Sequence, residues 1–475
     1  MSKAPFILLV NPWITDFAAY DLWAKPMGLL LLGTLLREGG CGVALIDCLD
    51  RHDPFSSTSP DLVTGRDRAY GTGKYPKTII RKPAVYSDVP RRYHRYGIHP
   101  ESFIQRALAL PKPDLIWVTS HMTYWYPGVF ETIRRLRELF PDTPVWLGGI
   151  YATLCRSHAE ALSGAHLVAP KLDDLPAGIE AATGFRPNNG PSWSLSRLSL
   201  SPALDLLSRI DYAPVLTGLG CPHRCPYCAS SVLQPLPVKR SAEDVLHEIV
   251  HWREHGVSDF AFYDDALLLN ADQTLKPALE HLVMEGLDVR FHTPNALHVR
   301  ALTRPWCDLL FASGFRTIRL GLETTRRDRQ KEWGGKVEPE MFQQGVENLR
   351  KAGFSSGDIG VYLMAGLPGQ TVQEVRESIE LVHAAGAQPF ISEYSPVPGT
   401  ALWREACRVS PFDLASEPLT HNNTFLACRR EDFTLDDLEC LKAIALEARR
   451  RHQPHLGTAP SLELPVEARS PKFAT

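Results

Sequence analysis

Long apolar runs are missing from this 475-residue chain. The longest, Met27 to Leu36, is broken by glycine and runs into Arg37 and Glu38, well short of the roughly 20 residues that span a bilayer. No charge of one sign dominates either: the formal net charge is −3, so the molecule as a whole has no electrostatic bias toward nucleic acid. No secretory leader is expected at the N-terminus, and a chain of this size has no need of disulfide staples. Its ten cysteines therefore read as free thiols in a reducing cytoplasm. Seven of them are scattered and supply no second Cys-x-x-Cys pair, which takes away the usual other half of a structural zinc site. Composition is that of a globular protein, 44% hydrophobic and 22% charged, with length for two or three domains.

The other three cysteines lie in the run Gly-Leu-Gly-Cys-Pro-His-Arg-Cys-Pro-Tyr-Cys, as Cys221, Cys225 and Cys228. At this cysteine content the spacing Cys-x-x-x-Cys-x-x-Cys arises by chance roughly 0.004 times per chain. Three thiolates on one short loop can hold three corners of an iron–sulfur cluster. A cubane cluster normally takes four cysteines, so one iron is left for a ligand that is not protein. His223 inside the loop reads as a solvated residue.

This motif resembles that of the radical S-adenosylmethionine (SAM) superfamily. The resemblance implies a 4Fe–4S cluster whose free iron chelates the amino and carboxylate groups of SAM. One electron from an external reductant such as flavodoxin or ferredoxin then cleaves SAM to methionine and a 5′-deoxyadenosyl radical. Cys221, Cys225 and Cys228 are the expected metal ligands and catalytic residues, and Tyr227 is the aromatic beside adenine.

Downstream, strands alternate with helices six times from Pro214 to Thr400. Polar or glycine residues follow the predicted strands: Asp264 and Asp265 after the second, Pro294 and Asn295 after the third, Glu323 at the fourth, and Gly366-Leu367-Pro368-Gly369-Gln370-Thr371 after the fifth. Functional residues of such folds collect at strand carboxyl ends. By resemblance, Asp264 or Asp265 takes the SAM amine, Glu323 is the strand-four acid, and Asn295, Gly366 and Pro368 belong to the same pocket. The choice between the two aspartates is open.

Upstream, Phe6–Asn11, Val43–Asp47, Leu115–Ser120 and Val145–Gly149 read as buried parallel strands separated by helices, the pattern of a doubly wound sheet. With Asn11-Pro12, Lys25-Pro26-Met27-Gly28, Ser120 and Gly148-Gly149, this layout is similar to the cobalamin-binding domain found ahead of many radical SAM barrels. In that reading Ser120, Gly148 and Gly149 line the cofactor. No Asp-x-His-x-x-Gly motif is present, so a histidine ligand to cobalt is not expected. A Rossmann-like scaffold that binds no cobalamin is the alternative. Between the second and third strands lies an insertion, about 51–103. Its stretch from Arg66 to Tyr96 holds nine Lys or Arg against two acids and five tyrosines. It reads as a lid or docking strap.

The expected fold is thus α/β: a Rossmann-like doubly wound sheet over 1–170, a linker over 171–207, a partial (β/α)6 radical SAM barrel over 208–402, and a helical cover with a disordered tail over 403–475. The expected function is cobalamin-assisted radical methylation of an unactivated carbon in a small-molecule or natural-product substrate. Cobalamin-independent cyclisation, oxidation or carbon–sulfur bond formation is the alternative, with a non-catalytic iron–sulfur sensor behind it.

Overall fold

The computed structural model describes residues 4–57, 61–188, 193, 201–332 and 337–452. The expected tail beyond His452 lies outside the described residues. Two parallel sheets dominate. The first takes strands β1 (Phe6–Asn11), β2 (Gly42–Asp47), β3 (Leu115–Val118), β4 (Val145–Leu147) and β5 (Leu167–Val168) in the order β5-β4-β3-β1-β2. Both of its faces are covered. Ile7 and Leu9 of β1 point into one apolar cluster, and Leu8 and Val10 into another. That is why β1 reads as an unbroken apolar run rather than an alternating one.

Helix Met27–Glu38 is equally apolar for a physical reason. Leu29, Leu32, Leu35 and Leu36 pack under the first sheet, while Leu30 joins Leu204 in the core of the second unit. A helix buried on two sides has little room for polar residues.

The second sheet has six parallel strands in simple order: β6 (Ala213–Val215), β7 (Asp259–Phe262), β8 (Arg290–His292), β9 (Phe315–Glu323), β10 (Ile359–Ala365) and β11 (Gln388–Glu393). Phe260, Phe291, Ile318, Leu320, Val361 and Leu363 face the outer helices in one large core. The alternate residues Asp259, His292, Thr317 and Arg319 are buried polar groups on the opposite face. Helix Leu435–Arg451 starts at a capping box on Thr434 and Asp437 and buries Leu438, Leu441, Ala445 and Ala448. It lies on β11 and on helix Val372–Ala384, the cover that its apolar spacing predicts.

One region departs from expectation, and a second takes one of its two expected forms. Within the supposed linker, Leu175–Thr183 is a helix whose Leu175 and Ile179 are buried beside Trp146 and Trp117. Gly178 permits the close approach, since a Cβ there would stand 2.9 Å from the Trp146 ring. The basic insertion is also more ordered than a solvated lid. Tyr75, Tyr86, Tyr93 and Tyr96 are buried, so these rings serve packing and are not offered to a ligand. Arg51, at its start, bonds Asp21 at 3.0 Å and Asp211 at 2.9 Å and also pairs with Asp67. Tyr70 and Trp23 lie against His292 of β8, each with ring centroids 4.7 Å away. The insertion is a strap between the two units.

The C-terminal segment fastens the same pair of units. His421 Nδ1 meets Thr123 Oγ1 at 3.0 Å, Asn422 Nδ2 donates to Asp16 Oδ1 at 2.9 Å, and Tyr86 Oη donates to the Leu419 carbonyl at 2.6 Å.

Candidate active site

The cysteine loop grows from the carboxyl end of β6. Gly218–Leu219 pairs antiparallel with Val238–Lys239, so the intervening residues are closed into a loop. Gly220 enters it at φ +78°, a backbone conformation that glycine adopts without penalty. The Cys228 amide donates to the Cys225 carbonyl at 3.0 Å, and the Leu402 amide to the Pro226 carbonyl at 2.9 Å, which pins the loop to the segment after β11. Cys221, Cys225 and Cys228 are part-exposed and lie outside any disulfide. Among the described residues no three His, Cys, Asp or Glu side chains gather on a single point as one metal ion requires. A cubane gives each thiolate its own iron, and the donor set of three part-exposed thiols on one loop suits that group.

Tyr227 packs against the apolar cluster that includes Met364 and Leu367 at the end of β10. Burial raises the pKa of its phenol, and the neighbouring Glu323 carboxylate and Cys225 act in the same direction. Tyr227 and Glu323 therefore converge beside the loop. Glu323 itself has φ +66°, where β9 breaks register with β10 between Gly321 and Glu323. A non-glycine residue held there is an uncommon conformation of the kind that clusters at functional sites.

The two aspartates separate cleanly. Asp264 is buried, and its Oδ2 accepts the Thr217 amide at 2.9 Å while Oδ1 accepts the Thr217 hydroxyl at 2.6 Å. Asp265 is exposed and accepts hydrogen bonds from the Ser230 side chain and the Gly220 backbone, on either side of the cysteines. Asn295 Nδ2 donates to the Tyr263 carbonyl at 2.9 Å and the Asp264 carbonyl at 3.3 Å, bracing β8 against β7. Gly366 takes φ +87° against Leu426, and Pro368 is buried. Sequence reading missed Gln370, whose Oε1 accepts the Leu367 amide at 3.2 Å and whose Nε2 donates to the Met364 carbonyl at 2.9 Å, holding the turn from within. It missed Thr217 as well, since nothing local marks that residue.

At the carboxyl ends of the first sheet the expected residues do different work. Ser120 Oγ donates to the Gly148 carbonyl at 2.6 Å and accepts the Ala152 amide at 3.1 Å. Gly149 has φ +92°, and a Cβ there would stand 2.2 Å from the Ser120 carbonyl oxygen; one on Gly148 would meet Trp117 at 3.0 Å. These three residues join β3 to β4 tightly and spend their contacts on each other. Their neighbours do present polar groups. Asn11 Nδ2 donates to Asp47 Oδ1 at 2.8 Å, and Asn11 Oδ1 lies 3.1 Å from His121 Nε2. Burial pushes the pKa of His121 down to about 4. Helix Ile150–Leu154, just after Gly149, lies beside Ser230–Leu233, just after Cys228. The carboxyl ends of the two sheets thus face each other.

An α/β fold whose second unit is a (β/α) barrel-type core with a three-cysteine loop at its first strand defines a class. Residues 215–382 match the radical SAM superfamily model, and the chain carries a radical SAM domain. It is 28% identical over 219 residues to an uncharacterized methyltransferase, PH0819, of Pyrococcus horikoshii, covering 43% of this chain and 46% of that protein. It is 29% identical over 231 residues to the ribosomal protein uS12 methylthiotransferase RimO of Kineococcus radiotolerans, covering 45% and 42%. The aligned part is less than half the length of these curated relatives. The fold resembles that of TsrM, a radical SAM methyltransferase from Kitasatospora setae solved with cobalamin and a 4Fe–4S cluster, with TM-score 0.61, 18% identity, and 86% and 78% of the two chains covered. It also resembles the cobalamin-dependent SAM radical enzyme OxsB, with TM-score 0.57, 13% identity, and 82% and 54% covered. Among the described residues no helix is long and apolar enough to cross a membrane.

Proposed function

We propose that this protein is a radical SAM enzyme that methylates an unactivated carbon of a small-molecule substrate, with cobalamin seated on the first sheet. The observation that carries the reading is the opposition of the cysteine loop and the first sheet's carboxyl ends, brought together by Ser230–Leu233 and Ile150–Leu154. When bound, a 4Fe–4S cluster would supply the one-electron reduction of SAM, drawing on an external reductant, and cobalamin would supply the methyl-carrying chemistry. Cys221, Cys225 and Cys228 hold the cluster. Asp265 is the better placed of the aspartates to receive the SAM amine, because the residue is exposed and bonded to both sides of the cysteine loop while Asp264 is buried on Thr217. Tyr227 and Glu323 would flank the adenosyl part, with Asn295, Gly366 and Pro368 fixing the strand ends behind them.

A cobalamin-free reading has one observation in its favour: Ser120, Gly148 and Gly149 are occupied with one another. The two separate by experiment. Anaerobically reconstituted protein given SAM and dithionite should release 5′-deoxyadenosine, and Cys225→Ala should not; release that survives the substitution would sink the radical reading. Titration with hydroxocobalamin should saturate at one per chain. An intact, SAM-responsive cluster with no cobalamin uptake would leave the first domain as a scaffold.

A further inference from the structure

Helix Ala242–Glu254 of the barrel carries His247 and His251, and His255 caps its end. Residues at this four-residue spacing lie along one face of a helix. The chain has 17 histidines, a content at which three in such a series arise by chance roughly 0.02 times. The first pair also spells His-Glu-x-x-His, the helical pattern whose glutamate is the general base of metalloproteases. Glu248 cannot take that part, because it is 1% exposed and its Oε2 accepts Arg240 Nη1 at 2.6 Å. The second pair is better placed for a metal. His251 and His255, with ring centroids 4.3 Å apart, line a cleft of about 380 Å³ between this helix, helix Met27–Glu38 and the segment 201–205. His255 is exposed and His251 half-buried, and neither ring has a nitrogen that is both unpartnered and shut away from solvent. His255 Nδ1 lies 2.7 Å from the His251 carbonyl. A carbonyl oxygen only accepts, so Nδ1 carries the proton and the neutral ring keeps its lone pair on Nε2. Metal-ligating histidines are set in this way, the other ring nitrogen donating to a backbone carbonyl or carboxylate.

Glu38 lines the same cleft from the first unit. It is exposed and makes no ion pair among the described residues, so its carboxylate can turn onto an ion held by the histidines. Without that turn, three ligands do not converge. The other charges of the cleft answer each other, since Arg37 Nη1 donates to both oxygens of Asp205 at 2.9 and 2.8 Å. Imidazoles with one carboxylate suit zinc and its neighbours, whereas calcium and magnesium prefer oxygen donors alone. We propose that His251 and His255 chelate a divalent transition-metal ion of the zinc type, and that Glu38 completes the set and ties the barrel to the helix under the first sheet. None of the cleft's residues belongs to the cysteine loop, and the site stands whether or not the first sheet holds a cofactor.

The test is equilibrium dialysis of full-length protein against zinc, after anaerobic cluster reconstitution has occupied the loop thiolates. One zinc per chain should bind saturably. His251→Ala and His255→Ala should each weaken it by at least about tenfold, and Glu38→Ala by a smaller factor. Zinc should also raise the denaturant midpoint of the parent and leave that of His251→Ala where it was. No saturable uptake, or uptake that both histidine variants retain in full, overturns the site and assigns any bound zinc to thiols. Loss in His247→Ala with none in His255→Ala overturns the choice of pair. Affinity unchanged in Glu38→Ala overturns the tie between the two units.

Discussion

Asp264 grips Thr217 by both of its oxygens, at 2.9 Å to the amide and 2.6 Å to the hydroxyl. Thr217 is the last residue of the chain before the hairpin that carries the cysteines, so this contact sets the angle at which the loop leaves β6. Asp264→Ala would strand two buried donors at about 1–3 kcal/mol each. Lowered unfolding stability and reduced iron content on reconstitution are the expected results. Asp265→Ala should leave stability within about 0.5 kcal/mol and retain iron, but weaken SAM binding measured by calorimetry. The reverse pattern would exchange the roles of the two residues.

Gly149 and Gly184 both have positive φ, yet they predict different outcomes. A Cβ on Gly184 meets nothing within 4 Å, so Gly184→Ala should lose about 1 kcal/mol for the left-handed backbone alone. At Gly149 the same atom collides with the Ser120 carbonyl. Gly149→Ala should therefore lose about 3 kcal/mol or more. Denaturant midpoints of the two variants, measured anaerobically, check the contrast.

His421 gives the fold a pH dependence. It is 1% exposed, its Nε2 donates to the Leu414 carbonyl at 2.8 Å, and burial pushes its pKa down to about 4. Below about pH 6.5 the unfolded chain binds a proton that the folded ring refuses until about pH 4, so this contribution falls as pH drops through that window. Between pH 7.5 and 5.5 the loss is about 1 kcal/mol. His421→Gln should flatten the slope by that amount, and an equally steep slope in the variant would exclude the assignment.

Arg51 answers Asp21, Asp67 and Asp211 together, and Asp21 is 1% exposed. Arg51→Ala should cost less than the about 3–5 kcal/mol of a fully orphaned buried charge, because Asp211 keeps Arg209 at 2.8 Å and Asp21 keeps Lys25 at 3.9 Å. Limited proteolysis should then cut first within the insertion, at bonds that are protected in the parent.

Much of this architecture can be read from the chain because the deciding signals are local. The cysteine spacing, the strand runs ending in polar residues and the apolar face of Leu435–Arg451 all lie within single elements. What could not be read depends on closure of the sheets. Thr217 and Asp264 are 47 residues apart, and only the pairing of β6 with β7 makes them neighbours. Gly148 and Gly149 suggested room for a cofactor, whereas their missing side chains serve Trp117 and Ser120. The helix at Leu175–Thr183 lay hidden in a proline-rich stretch because its partner, Trp146, is on another element.

The bond from Asn422 to Asp16 spans 406 residues. During synthesis the first domain emerges long before its partner, with the Asp16 carboxyl lacking one of its donors and with Phe17, Tyr86 and Tyr93 waiting for Leu419 and Phe425. Early domains generally fold as they appear, but this one leaves the ribosome with an apolar patch and a buried acid that only the last tenth of the described chain can cover. The nascent protein therefore keeps this patch open until residues 419–425 have been made, and a break near Pro411 would be felt first around Asp16 and Tyr86.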